Sequence, residues 1–148
     1  MERTAVWRAL AAGVFLTAAG ATGAQAQWVS LEAGKHRIEA EVAADEQTRQ
    51  LGLMYRSHLP SGQGMLFVYP SPNRICMWMR NTLIPLSVAF LDEEGRILNI
   101  ADMTPQSEES HCAAKPARYA LEMNQGWFAG HGVKVGDRIE GVKSLSAK

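Results

Sequence analysis

The segment CMWMRNTLIPLSVAFLDEEGRI, Cys76–Ile97, decides how this chain is read. Its first part, Arg74 to Arg80, has the period-two pattern of a strand. Cys76, Trp78 and Arg80 fall on one face, and Met77, Met79 and Asn81 on the other. The strand ends in three consecutive polar residues, Arg80-Asn81-Thr82. A second strand, Ile84 to Leu91, follows at once. Asp92-Glu93-Glu94-Gly95 is then a hairpin turn, with Gly95 free to take positive φ, and Arg96 to Met103 is the returning strand.

Outward from this segment the same short-strand pattern continues. Trp28 to Leu31 and His36 to Val42 read as strands joined at Gly34, with Ile38, Ala40 and Val42 alternating with Glu39 and Glu41. Asp45 is placed to cap a helix running to about Tyr55, with Leu51 and Met54 as its apolar edge. Met65 to Tyr69 is a strand stopped by Pro70 and Pro72. Thr104 to Lys115 reads as a polar loop, and Ala117 to Met123 as a strand. Asn124 to Gly132 suits a short helix carrying Trp127 and Phe128, and Arg138 to Val142 is a last strand. The expected fold is α+β and predominantly β, a curled sheet or partial barrel of short strands with two short helices.

The first 26 residues read as a signal peptide: Arg3 and Arg8, an apolar run from Ala9 to Ala21, and small residues in Ala24-Gln25-Ala26 before Gln27. The run falls short of the roughly 20 apolar residues of a spanning helix. Residues 27–148 then form a single domain, expected in the periplasm or secreted and free of the membrane after cleavage. They hold 13 Lys and Arg against 14 Asp and Glu, a net charge of −1. With no basic stripe, nucleic acid is not an expected partner.

Six short motifs occur in order. They are Leu51-Gly52-Leu53-Met54-Tyr55-Arg56, Gly64-Met65-Leu66-Phe67, Trp78-Met79-Arg80-Asn81-Thr82, Ile84-Pro85-Leu86, Leu121-Glu122 and Gly136-Asp137. Together, over roughly Val29 to Val142, they resemble the domain-of-unknown-function family 192, a bacterial and archaeal family often exported. The resemblance implies a compact, mostly β domain with short helices. It implies no settled activity and therefore no catalytic residues. The family commonly has an Asp after the Pro-Leu pair, where this chain has Ser87. Any metal or acid–base step relying on that carboxylate would be lost here.

The residues suggest chemistry of their own. At the end of a strand, Arg80, Asn81 and Thr82 can point into one mouth. Arg offers a planar fork of donors for carboxylate or phosphate, Asn a donor and an acceptor, and Trp78 a stacking face. The bland alternative is a structural corner in which Arg80 pairs internally and Asn81 bonds the turn. Glu122 sits in an otherwise apolar strand, where a buried carboxylate needs a partner. Arg56 is the natural one, and a buried Arg56–Glu122 pair is the favoured reading over catalysis. Glu39 and Glu41 read as a solvated face, and His36, His58 and His131 as single solvated residues. Asp102 and Glu122 as an acid and base for glycoside cleavage have no spacing argument behind them.

Cys76 and Cys112 are the only cysteines, and an oxidising compartment favours their bridging, which would add up to about 4 kcal/mol. Met77, Met79, Met103, His111 and Cys112 are soft ligands that would suit copper, but Met is also a common core filler, and no metal or cofactor is expected. The function expected first is the binding of a small polar or anionic ligand at Arg80-Asn81-Thr82, with Trp78, Arg56 and Glu122 nearby. The rivals are a hydrolase using Glu122 or Asp102, and a structural or partner-binding domain without a small-molecule site. A buried, Arg-paired Glu122 would favour the last. An open pocket with an unpaired carboxylate would favour the other two.

Overall fold

The computed structural model describes residues 25–148, so the expected signal peptide lies almost wholly outside the described residues. Nine strands and two short helices follow one another in the order β1 (Trp28–Ala33), β2 (His36–Ala43), α1 (Glu46–Leu51), β3 (Gln63–Asn73), β4 (Cys76–Met77), β5 (Leu86–Leu91), β6 (Ile97–Met103), β7 (His111–Cys112), β8 (Ala117–Asn124), α2 (Trp127–Gly130) and β9 (Ile139–Glu140). Seven of the strands form one curled, half-barrel sheet in the order β6-β5-β8-β3-β2-β1-β9. The β4 and β7 strands pair separately. The expected β-rich α+β fold is therefore the observed one.

The centre of the sheet is covered on both faces. Every residue of β5 is buried, and β8 is buried from Tyr119 to Met123. Such strands read as continuous apolar runs rather than as alternation. One face packs Ile38, Leu66, Ala89, Leu121 and Phe128, and the other packs Phe67, Met79, Val88, Phe90 and Ala120. Trp127 is a buried anchor, as its sequence context suggests. The β5–β6 turn closes at Gly95, with φ +80° and its N–H donating to the Asp92 carbonyl (3.1 Å). Gly64 is required for a different reason: a Cβ there would collide with the Glu122 carbonyl and the Met123 sulfur. The close approach of β3 to β8 thus depends on a missing side chain.

Several elements differ from their sequence reading. Helix α1 has the expected Asp45 cap, whose carboxylate accepts from the Thr48 N–H (2.8 Å), but it ends at Leu51. Gly52 then takes φ +49°, which leaves Leu51 exposed and turns Leu53 into the core instead. Strand β3 continues through Pro70 and Pro72. Proline fits extended backbone, and the ladder to β8 lapses between Val68 and Asn73, so no N–H is missed there. The motif strand shrinks to Cys76–Met77 because only that dipeptide finds a partner, β7, inside the segment read as a loop. The last strand is cut at Gly141 (φ +98°), and a 3-10 turn takes Val142–Ser144.

Candidate functional site

The β4 segment carries the alternation of its sequence past its two paired residues. Ile75, Met77 and Met79 are buried, while Cys76, Trp78 and Arg80 face outward. The Cys76–Cys112 disulfide bridges directly opposed residues of β4 and β7. Cys112 is thereby removed as a free thiolate ligand, and Met77 and Met79 are core residues. No cluster of three or more His, Cys, Asp or Glu suited to a metal occurs among the described residues.

Beyond the ladder the backbone is held by hydrogen bonds from both sides. The Met79 N–H donates to the Ser107 carbonyl (2.9 Å), and the Thr82 N–H to the Met79 carbonyl (3.0 Å). Asn81 occupies the left-handed region at φ +55°, which Asn tolerates better than most residues. Its carbonyl accepts from the N–H of Tyr55 (2.8 Å), which ties the turn after α1 to the corner. The Thr82 hydroxyl donates to the Arg80 carbonyl (3.2 Å) and is buried. Thr82 therefore shapes the corner and is not open to a guest. The Arg80 guanidinium lies 5.5 Å from the Trp78 ring centroid and 3.7 Å from the Glu108 carboxylate, and both charged side chains are more than half exposed.

These elements enclose a pocket of about 500 Å³, within the usual range for small-ligand sites. It is lined by the end of α1 and the turn after it, from Arg49 to Met54, by Cys76 to Trp78 with the Arg80-Asn81-Thr82 corner, and by Phe67 and Tyr69 of β3 and Glu122 of β8. Glu122 pairs across the sheet with Met65 and Val88, both buried apolar residues. No ion pair or hydrogen bond reaches its carboxyl among the described residues, and burial pushes its pKa up to about 8. The carboxyl is thus mostly protonated at neutral pH. Tyr69 is raised too, first by burial and then by its neighbour Glu122, with Arg49 opposing.

The expected Arg56–Glu122 pair does not form. Arg56 instead holds Glu41 at 2.7 Å and is not part of the pocket lining. Helix α1 ends five residues before Arg56, and the following turn directs it toward β2. Glu41, expected on a solvated face, is consequently mostly buried in this pair, whereas Glu39 is half-exposed and bonded to Ser30 and Arg37. His36 and His131 are not isolated either: His131 stacks on Trp127 at 4.3 Å, and His36 packs edge-on against both.

Asp102 and Glu122 are kept apart by the register. Glu122 stands opposite Val88, and Asp102 opposite Ser87, the adjacent residue of β5. Neighbouring residues of a strand point to opposite faces, so the two carboxyls lie on different sides of the sheet. Asp102 accepts from the Ser87 hydroxyl (2.5 Å), which itself accepts from the Gly126 N–H (2.9 Å). A carboxylate thus stands across the strand from position 87.

Arg49, Phe67 and Tyr69 belong to the pocket but were not singled out in the sequence. Arg49 donates to the carbonyls of Ala44 (2.6 Å) and Val68 (2.9 Å) and lies 5.2 Å from the Tyr69 ring, fastening α1 to β3. The signal was the alternation Met65, Phe67, Tyr69, which places both aromatics on the Glu122 face once the β3–β8 register is known.

The exposed position of Arg80 makes a stability prediction. Arg80→Ala should change unfolding free energy by no more than about 0.5 kcal/mol, as for other surface changes. Asn81→Ala should cost about 1 kcal/mol from backbone strain, with Asn81→Gly closer to neutral. Denaturant melts of the three variants check this. A loss of several kcal/mol for Arg80→Ala would mean that the guanidinium neutralises a buried group.

Residues 29–141 match the model of a family described as "Uncharacterized ACR", domain-of-unknown-function family 192. No curated protein matches the chain. Among solved structures, a candidate transcription regulator from Sinorhizobium meliloti 1021 is similar at 36% identity, with a TM-score of 0.73 over 77% of this chain and 92% of that one. A protein of unknown function from Novosphingobium aromaticivorans DSM 12444 is similar at 36% identity and a TM-score of 0.73, over 78% of this chain and 86% of that one.

Proposed function

The chain belongs to the domain-of-unknown-function family 192, and we propose that it is an exported binding domain for a small polar ligand with an anionic group, held at Arg80 and Asn81. The observation that carries this reading is the pocket itself. Trp78, Arg80 and a carboxyl with no partner among the described residues line one cavity of ligand size. A purely structural role for the corner predicted an Arg-paired Glu122 instead. The disulfide agrees with an oxidising compartment, and no helix among the described residues is long and apolar enough to cross a membrane. Nucleic-acid binding is not proposed from the Sinorhizobium relative, because a net charge of −1 over residues 27–148 without a basic stripe gives nucleic acid no electrostatic footing.

A thermal-shift screen of small carboxylates and phosphates against the wild type and Arg80→Ala tests the proposal. A compound that raises the wild-type Tm and does so much less for Arg80→Ala is the expected result. Hits that stabilise both proteins equally would place the ligand elsewhere.

A hydrolytic reading keeps one supporting observation. A carboxyl still protonated near neutral pH is suited to act as a general acid. Asp102, on the other face of the sheet, is not its base, so a two-carboxylate glycosidase built from this pair is not proposed.

A further inference from the structure

The Glu122 carboxyl lies in the pocket, is bounded by apolar neighbours on both adjacent strands, and has no ion-pair partner among the described residues. Phe67, Tyr69 and Trp78 line the same space, and Arg80, largely exposed, supplies the positive charge of the corner. The titratable and charged groups that share the pocket with the carboxyl are Tyr69 from β3, Arg49 from α1 and Arg80 from the corner. Arg49 spends one nitrogen on two backbone carbonyls and stacks on Tyr69. The pocket therefore joins a carboxyl that no cation reaches at ion-pair distance, among the described residues, to a basic corner.

Resting on the binding reading above, we infer that the ligand is a small zwitterion, an organic amine that also bears a carboxylate. Its ammonium sits against Glu122 among the aromatic rings, and its carboxylate meets Arg80 and Asn81. An ammonium supplies the partner that the buried carboxyl lacks, and aromatic faces favour cations in a desolvated site. A simple anion held at Arg80 would bring no cation to the Glu122 end. Binding is an ion exchange: the ammonium arrives charged, Glu122 gives its proton to the buffer, and the ion pair forms.

Calorimetric titration at pH 7 with γ-aminobutyrate and ε-aminohexanoate, and with butyrate and butylamine as single-ended controls, tests this. At least one amino acid should bind more tightly than either control. Its enthalpy should vary with the ionisation heat of the buffer, corresponding to release of about one proton per ligand. Glu122→Gln should weaken that amino acid by about tenfold or more and abolish the proton release, while leaving butyrate unchanged. Arg80→Ala should weaken the amino acid and butyrate but not butylamine. Butyrate binding as tightly as the amino acids, without buffer dependence, would overturn the zwitterion and leave the anion-binding pocket standing. Failure of both amino acids to bind the wild type would likewise overturn the zwitterion, and the carboxylate and phosphate screen would then decide the binding reading by itself.

Discussion

Glu122→Gln should make the protein more stable at alkaline pH and flatten its stability between about pH 4.5 and pH 8. The sign follows from proton counting. In the unfolded chain the carboxyl ionises near 4.5, and in the folded protein near 8. Across that window the native state holds a proton that the unfolded state has lost, so stability falls as pH rises, by about 1.4 kcal/mol per unit. Below about pH 4.5 the group contributes no difference. Above about pH 8 the folded protein carries a buried unpaired carboxylate, at a total cost on the order of 3–5 kcal/mol. Gln keeps the shape and the polar head but has no proton to lose. Urea melts of both proteins should therefore agree at pH 4 and diverge by several kcal/mol at pH 9, with the variant the more stable. Parallel pH profiles would mean that Glu122 has a partner in solution.

The second large effect is expected at the disulfide. Replacing both Cys76 and Cys112 by Ala should cost about 2–4 kcal/mol, because the unfolded chain regains the freedom of the closed loop. The consequence for the pocket is more specific. The β4–β7 ladder is only two residues long and is otherwise extended by single backbone bonds, Ala113 N–H to Ile75 and Met79 N–H to Ser107. Trp78 and Arg80 hang from this short piece. Without the bridge, amide hydrogen exchange should speed up over residues 76–82 and 107–113 while the β5–β8 centre stays protected. Uniform exchange changes across the sheet, or none, would show that the bridge does not organise the pocket wall.

These two effects mark what the sequence could and could not reveal. The fold class was legible because alternation and turn residues are local: β2 shows its buried face at Ile38, Ala40 and Val42, and the Asp92–Gly95 turn states its own geometry. The corner Arg80-Asn81-Thr82 was legible for the same reason, as polar residues ending a strand. The lack of an Arg56 partner at Glu122 was not. Whether Arg56 reaches Glu122 or Glu41 depends on where α1 stops and how Gly52 turns the chain, neither of which a residue pattern states. The separation of Asp102 from Glu122 rests on a one-residue difference in β5, between Ser87 and Val88, and register of that kind appears only when strands are paired. The contribution of Phe67 and Tyr69 was hidden in the same way. The β4–β7 pair does not show in the sequence because two residues inside a polar segment carry no period at all.

The central claim is that a carboxyl without a protein partner waits in the pocket. Carbon-13 NMR of glutamate-labelled protein, titrated from pH 3 to pH 10, tests it most directly. The account predicts one glutamate carboxyl with a midpoint near 8, absent from the spectrum of Glu122→Gln. It would be contradicted if every glutamate carboxyl, Glu122 included, titrated near the ordinary value of 4.5.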